Sequence, residues 1–250
     1  MGSAEIRDSI LVIGASGRTG GYVVRYLCAA SVPVIACVRR EERLPIEPRV
    51  ASAEVAVANL ERPDTIAPLI DRAAHVIYLA GSERRGMSPG AWQLEVESLS
   101  ACIEFAQRDG FTGRWIYVGY SGAEQRGGTT WAEARWRELK LAAEQVVTAS
   151  SLNYFVLRVG RITDSVSGEP RVNVSQPSAP MPDADVPCNA LGFLLTGVTL
   201  AGCTPRARAT VRVDSSGIKL QAAVHAFGRL RSDETERTFD RLDYSRMSFR

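Results

Sequence analysis

The stretch ILVIGASGRTGG, residues 10 to 21, narrows what this chain can fold into more than any other. An apolar run ends at Gly14, and the pattern G-x-x-G-x-x-G (Gly14, Gly17, Gly20) then leads straight into a segment of helical spacing. A tight turn needs a residue without Cβ at Gly14, close approach to a pyrophosphate needs one at Gly17, and close helix-on-strand packing needs one at Gly20. The helix start then faces the anion with free backbone N–H groups. Ser16, Arg18 and Thr19 fill the same loop. The bland alternative is a glycine-rich turn without function; the strand before and the helix after argue against it.

Short apolar runs alternate with amphipathic stretches through the first 165 residues, the pattern of a parallel sheet covered by helices on both faces. ILVIGA, PVIACV, AEVAVAN, HVIYLA, RWIYVG and NYFVLRV are the expected strands. GGYVVRYLCAA, DTIAPLI and LEVESLSACIEFAQRDG are the expected crossover helices, the last presenting Leu94, Leu99, Cys102, Ile103 and Ala106 before a glycine stop. From Arg161 to Pro187 prolines and small polar residues predict a long surface loop. NALGFLLTGVTLAG then reads as helix, RATVRVD as strand and GIKLQAAVHAFGRL as helix, before a charged tail over 231–250. The organisation expected is one domain over 1–250, with a dinucleotide-binding core in 1–160 and substrate-side lid and C-terminal elements in 161–230.

Thirty Lys and Arg against 28 Asp and Glu leave a formal charge of +2, so no nucleic-acid partner is indicated. No apolar run is long enough to span a bilayer, and the start lacks a leader pattern, so the expectation is a soluble cytoplasmic protein without a membrane partner. Five scattered cysteines without CxxC spacing read as packing residues in a reducing compartment, and two histidines, His75 and His225, argue against a His-based metal site, so no metal is expected.

The end of the second expected strand bears on which dinucleotide is bound. An acidic residue there would take the ribose 2′-hydroxyl of NAD, but the sequence is IACVRRE, so Arg39 and Arg40 stand in its place. Two guanidiniums suit a 2′-phosphate, and Arg18 can add a third donor. Any one of these arginines could equally be a solvated surface charge; together they point to NADP(H).

Together with VRRE, VANLERPDTIAPLI, HVIYLAGS, RWIYVGYSG, LKLAAEQVVTASSLNYFVLRVGRITD and DVPCNALGFLL, the glycine loop carries a resemblance over residues 8 to 200. The chain resembles the atypical short-chain dehydrogenase/reductases, in particular the NmrA-like and NAD(P)-binding epimerase-like group. The resemblance implies an α/β fold: a Rossmann-type doubly wound parallel sheet with helices on both faces and a small C-terminal substrate-side region. It also implies that Asn59 lies near the adenine, that Leu79, Ala80 and Gly81 pass beside the cofactor ribose, and that two long helices form a homodimer face.

Catalytically typical members carry a Ser after the fifth strand and a Tyr four residues before a Lys. Lys140 matches the Lys, but Trp136 occupies the Tyr position, and its indole donates a hydrogen bond without exchanging a proton at neutral pH. The usual Ser-Ser pair becomes Gly119 and Tyr120, with Ser121 one place later. Three substitutes stay open: Tyr120 as a relocated phenol, Ser121 as a donor, and Lys140 alone as acid or ribose anchor. WAEARWRELK (131–140) is either a helix whose Trp131, Trp136, Leu139 and Ala143 simply pack, or one whose Trp131 and Trp136 wall an aromatic substrate pocket. Arg158 is either a structural ion pair or an anchor for an anionic group, with the structural role preferred. Two functions follow: an NADP(H)-dependent oxidoreductase reducing a small aromatic or polycyclic carbonyl or enone, or an NADP(H)-binding sensor or redox-neutral enzyme without hydride chemistry.

Overall fold

A computed structural model describes residues 8–40, 52–81, 90–125, 130–175, 185–201, 203, 206–213 and 216–228. The charged tail lies outside the described residues. The strands are β1 (Ser9–Ile13), β2 (Val34–Val38), β3 (Glu54–Val57), β4 (Ala73–Tyr78), β5 (Arg114–Tyr120), β6 (Asn153–Val159), β7 (Ile162–Thr163), β8 (Arg171–Ser175), β9 (Val186–Pro187), β10 (Ala207–Val213) and β11 (Ile218–Lys219). The helices are α1 (Arg18–Ala29), α2 (Ala67–Asp71), α3 (Ser98–Arg108), α4 (Trp131–Ala149), α5 (Cys188–Ala201) and α6 (Leu220–Gly228).

Nine strands form one sheet in the order β11-β8-β10-β6-β5-β4-β1-β2-β3. From β10 to β3 every pairing is parallel; β8 is antiparallel to both β10 and β11. The expected Rossmann-type doubly wound α/β fold is therefore present. The strand order reverses beside β1, and a crevice opens at the carboxyl ends of β1 and β4, where ligands bind in sheets of this kind.

Side chains along each buried strand alternate between two cores. Ile10 and Val12 join α1, α5 and α6 on one face, whereas Leu11 and Ile13 join α2, α3 and α4 on the other. α5 is apolar on all sides because it is covered on all sides: a Cβ at Gly192 would lie 2.7 Å from Tyr22 of α1, and one at Gly197 would lie 2.5 Å from Val224 of α6.

Three expectations need correction. The segment 161–187 is not a plain loop, because β7, β8 and β9 lie in it. β8 reads RVNVS, a period-2 pattern of five residues hidden between glycine, proline and polar neighbours. GIKLQAAVHAFGRL opens as strand β11 before turning helical. The helix before Gly110 begins with a π turn, Gln93–Glu97, whose extra residue rotates the inward face. Leu94 is half-buried while Glu95 is buried.

Candidate functional site

The loop after β1 has the geometry its glycines require. Gly14 has φ +88, in the left-handed region, and a Cβ there would lie 2.8 Å from the Ala80 nitrogen and 2.9 Å from the Leu79 carbonyl carbon. A Cβ at Gly20 would lie 2.2 Å from the Gly14 oxygen, so α1 packs on the turn as only glycine permits. Gly17 is the exposed N-cap of α1, and neither a side-chain cap nor an acidic residue occupies the first turn. The N-terminal N–H groups of the helix are thus left for an anion from outside. Ser16 is half-buried in this loop and Thr19 is buried beneath it.

Arg39 and Arg40 leave β2 exposed to solvent. Arg18 does not stand beside them: its guanidinium donates to Asp164 Oδ1 at 2.8 Å and to the Ile162 carbonyl at 3.4 Å. These partners follow β6, on the far side of β1 from β2, so as the structure stands Arg18 clasps the glycine loop to the start of the 161–187 segment. After β3, Asn59 Oδ1 accepts from the Glu61 N–H at 3.1 Å, and Thr65 Oγ1 accepts from the Asn59 N–H, which shapes the turn that follows the strand.

Leu79 and Ala80 are half-buried and Gly81 is exposed at the mouth of the crevice. A Cβ on Gly81 would lie 3.5 Å from Lys140 Nζ and 3.6 Å from Glu95 Oε1. Lys140 and Glu95 form a salt bridge. Glu95 is 3 % exposed and comes from the π turn, so sequence reasoning missed it. One signal was available: residues 95, 99, 102 and 106 fall on one helical stripe, and a carboxylate on an otherwise apolar stripe calls for a partner.

α4 delivers three side chains to the crevice at four-residue intervals, Trp136, Lys140 and Glu144, one above another on the same face. Trp136 packs edge-on against Tyr120, the ring centroids 4.4 Å apart, and Lys140 Nζ stands 5.6 Å from the Trp136 ring centroid. The indole Nε1 is buried without a hydrogen-bond partner among the described residues. Ser121 is buried at the end of β5. Glu144 accepts from Arg158 at 2.7 to 3.0 Å, and Arg158 also donates to Glu124 at 2.7 Å. The Arg158 hydrogen bond holds the Glu124 carboxyl below its usual range, and burial acts against this. Arg158 is only 3 % exposed, so its charge is met inside the protein. Trp131 does not pack: it stands 72 % exposed at the start of α4.

The Glu144–Arg158 pair also accounts for Gly119. A Cβ there would come 2.7 Å from Glu144 Oε2 and 3.1 Å from Val156 Cγ1. The space a serine would need is filled.

A family model described as NAD(P)H-binding matches residues 14–194. The chain belongs to that NAD(P)H-binding family. The match begins at Gly14 of the phosphate loop and runs into α5, so it contains every site residue named above. No curated protein matches the chain. Among solved structures, a protein from Bacillus halodurans with a provisional assignment as an NAD-dependent epimerase/dehydratase superposes with a TM-score of 0.73 at 22% identity, over 88% of this chain and 99% of that one. A wide-type short-chain dehydrogenase/reductase from Veillonella parvula in complex with NADP gives 0.67 at 16%, over 84% and 96%. An anaerobillin reductase from Escherichia coli O157:H7 gives 0.65 at 18%, over 83% and 98%. At these identities the likeness establishes the fold.

The glycine cradle fits a dinucleotide, which in this NAD(P)H-binding chain would rest its pyrophosphate on the start of α1. No His/Cys/Asp/Glu cluster able to hold a metal occurs among the described residues, and no helix there is long and apolar enough to cross a membrane. Burial pushes the Cys37 thiol up to about 11 and the Cys102 thiol up to about 12, as suits packing residues.

Proposed function

We propose that the protein is an NADP(H)-dependent oxidoreductase that reduces a small, neutral carbonyl or enone of aromatic or polycyclic character. The observation that carries the reading is the convergence of Lys140, Trp136 and Tyr120 beside Gly81, next to the phosphate loop. The cofactor supplies the hydride; the residues of the chain supply binding and proton management. Gly14, Ser16, Gly17, Thr19 and Gly20 cradle the pyrophosphate, and Arg39 with Arg40 takes the 2′-phosphate. Asn59 borders the adenine, while Leu79, Ala80 and Gly81 border the ribose. Trp136, with its free indole N–H, supports hydrogen bonding to a substrate oxygen, and Lys140, Tyr120 and Ser121 are the candidate proton donors beside it. Trp131 supplies an exposed aromatic wall at the rim.

A neutral substrate is favoured because Lys140 and Arg158 already face carboxylates, Lys140 with Glu95 and Arg158 with Glu144 and Glu124. The same pairing, and an indole in place of a phenol, favour the second reading, an NADP(H)-binding sensor or redox-neutral enzyme.

Titration of NADPH, NADP+, NADH and NAD+ by calorimetry tests the nucleotide site. Binding confined to the phosphorylated pair, weakened about tenfold or more in Arg39→Ala, is the expected result, since a charged hydrogen bond to phosphate is lost. NADPH consumption with 9,10-phenanthrenequinone then separates the two readings. Oxidation of NADPH by the quinone supports the reductase; nucleotide binding without turnover of this or other carbonyls and enones supports the sensor.

A further inference from the structure

Glu95 belongs to none of the groups a dehydrogenase of this type is expected to use, yet it is the residue that decides where Lys140 stands. We infer that Glu95 is a positioning residue that holds the Lys140 ammonium over Gly81, ready to receive the cofactor ribose. The inference deepens the proposed function and rests on it.

Three observations converge. Glu95 is buried in the π turn just before α3, beside the apolar core, and its carboxylate meets Lys140 directly. The π turn that carries it is tied down: the single Ser98 hydroxyl proton is shared between the Leu60 carbonyl at 2.6 Å and the Gln93 carbonyl at 2.8 Å. The turn that carries Glu95 is thereby tied to the loop after β3. Finally, both charged groups lie against Gly81, and the preceding Leu79 and Ala80 lie against Gly14 of the phosphate loop. The pair therefore borders backbone that lies beside a nucleotide seated on the loop.

A lysine side chain loses up to about 2 kcal/mol of rotamer freedom when it is ordered. Glu95 takes one of the three ammonium donors before any ligand arrives and leaves two for a ligand, so the side chain is ordered before binding. A carboxylate that served only to neutralise Lys140 within the core would have no such effect on a ligand.

The test is calorimetric titration of NADPH into the full chain and into Glu95→Gln, Glu95→Asp, Lys140→Met and the two Glu95 variants combined with Lys140→Met, with thermal melts alongside. The expected pattern is NADPH affinity about tenfold weaker in Glu95→Gln, restored to within about threefold by Asp, and no effect of either Glu95 change once Lys140 is Met. Wild-type affinity in Glu95→Gln, or an equal loss with and without Lys140, overturns the inference even though the protein binds NADPH. Should Glu95→Gln fail to fold, Lys140→Met decides: NADPH affinity about tenfold weaker is expected, and wild-type affinity in that variant overturns the inference. If the wild-type chain itself binds no NADPH, the proposed function fails first and the inference falls with it.

Discussion

Gly119 stands where a short-chain dehydrogenase would place a serine, and a steric reason for the change lies beneath it. Glu144 Oε2, pinned by Arg158, occupies the space into which a side chain at 119 would grow. Gly119→Ser should therefore lower stability by about 1 to 3 kcal/mol, the cost of overpacking a filled site, and should leave NADPH turnover no higher. Urea unfolding and a turnover assay read both outcomes. Glu95 shows why part of the site was hidden from sequence. Its place on an apolar stripe was visible, but its partner, 45 residues away, is set by how α4 packs against that segment, which no spacing rule signals. Lys140, Tyr120 and Trp136 were legible because their helix and strand are long and regular, and tertiary packing then brought them together.

Among the elements, α4 carries the most chemistry and has the firmest start. Thr130 accepts from the Glu133 N–H, and the Glu133 carboxylate accepts from the Thr130 N–H. Thr130→Ala should cost about 1 kcal/mol in a thermal melt, and because α4 also holds Trp136 and Lys140, the loss should extend to ligand affinity. Deeper in the same helix, Glu144→Gln would leave Arg158 charged and almost fully buried. The residual contact to Glu124 softens that change, so a loss of about 3 kcal/mol is expected, measured by denaturant unfolding. Strands β1 to β6 could be read from their apolar runs, since both faces of the sheet are covered and burial leaves a strong pattern. Strands β7 and β9, two residues each, leave none, and their pairing comes from where the surrounding chain is held.

For the molecule as a whole, acidity acts through a histidine remote from the crevice. Burial lowers His75 to about 4, with the Arg114 charge adding to the effect, and its Nδ1 accepts from the Arg114 N–H at 3.0 Å. The unfolded chain binds a proton near pH 6.5 that the folded protein refuses until about pH 4, so stability is full above 6.5 and declines as pH falls through this window. Below the ordinary carboxylate range, Glu54 and Glu124 add to the loss, because Arg72 and Arg158 hold them low in the folded state. His75→Asn, which keeps an acceptor without the titration, should flatten the decline between about pH 6.5 and about pH 5 in urea unfolding.

The position of β8 between β10 and β11 bears on how the protein is made. Both neighbours come later in the chain, and 32 positions separate Ser175 from Ala207. At roughly 5 to 20 residues per second, a ribosome needs about 2 to 6 s to supply the first of them. Throughout that interval the nascent strand has no edge to join, and this is the moment at which a chaperone or a protease would meet it.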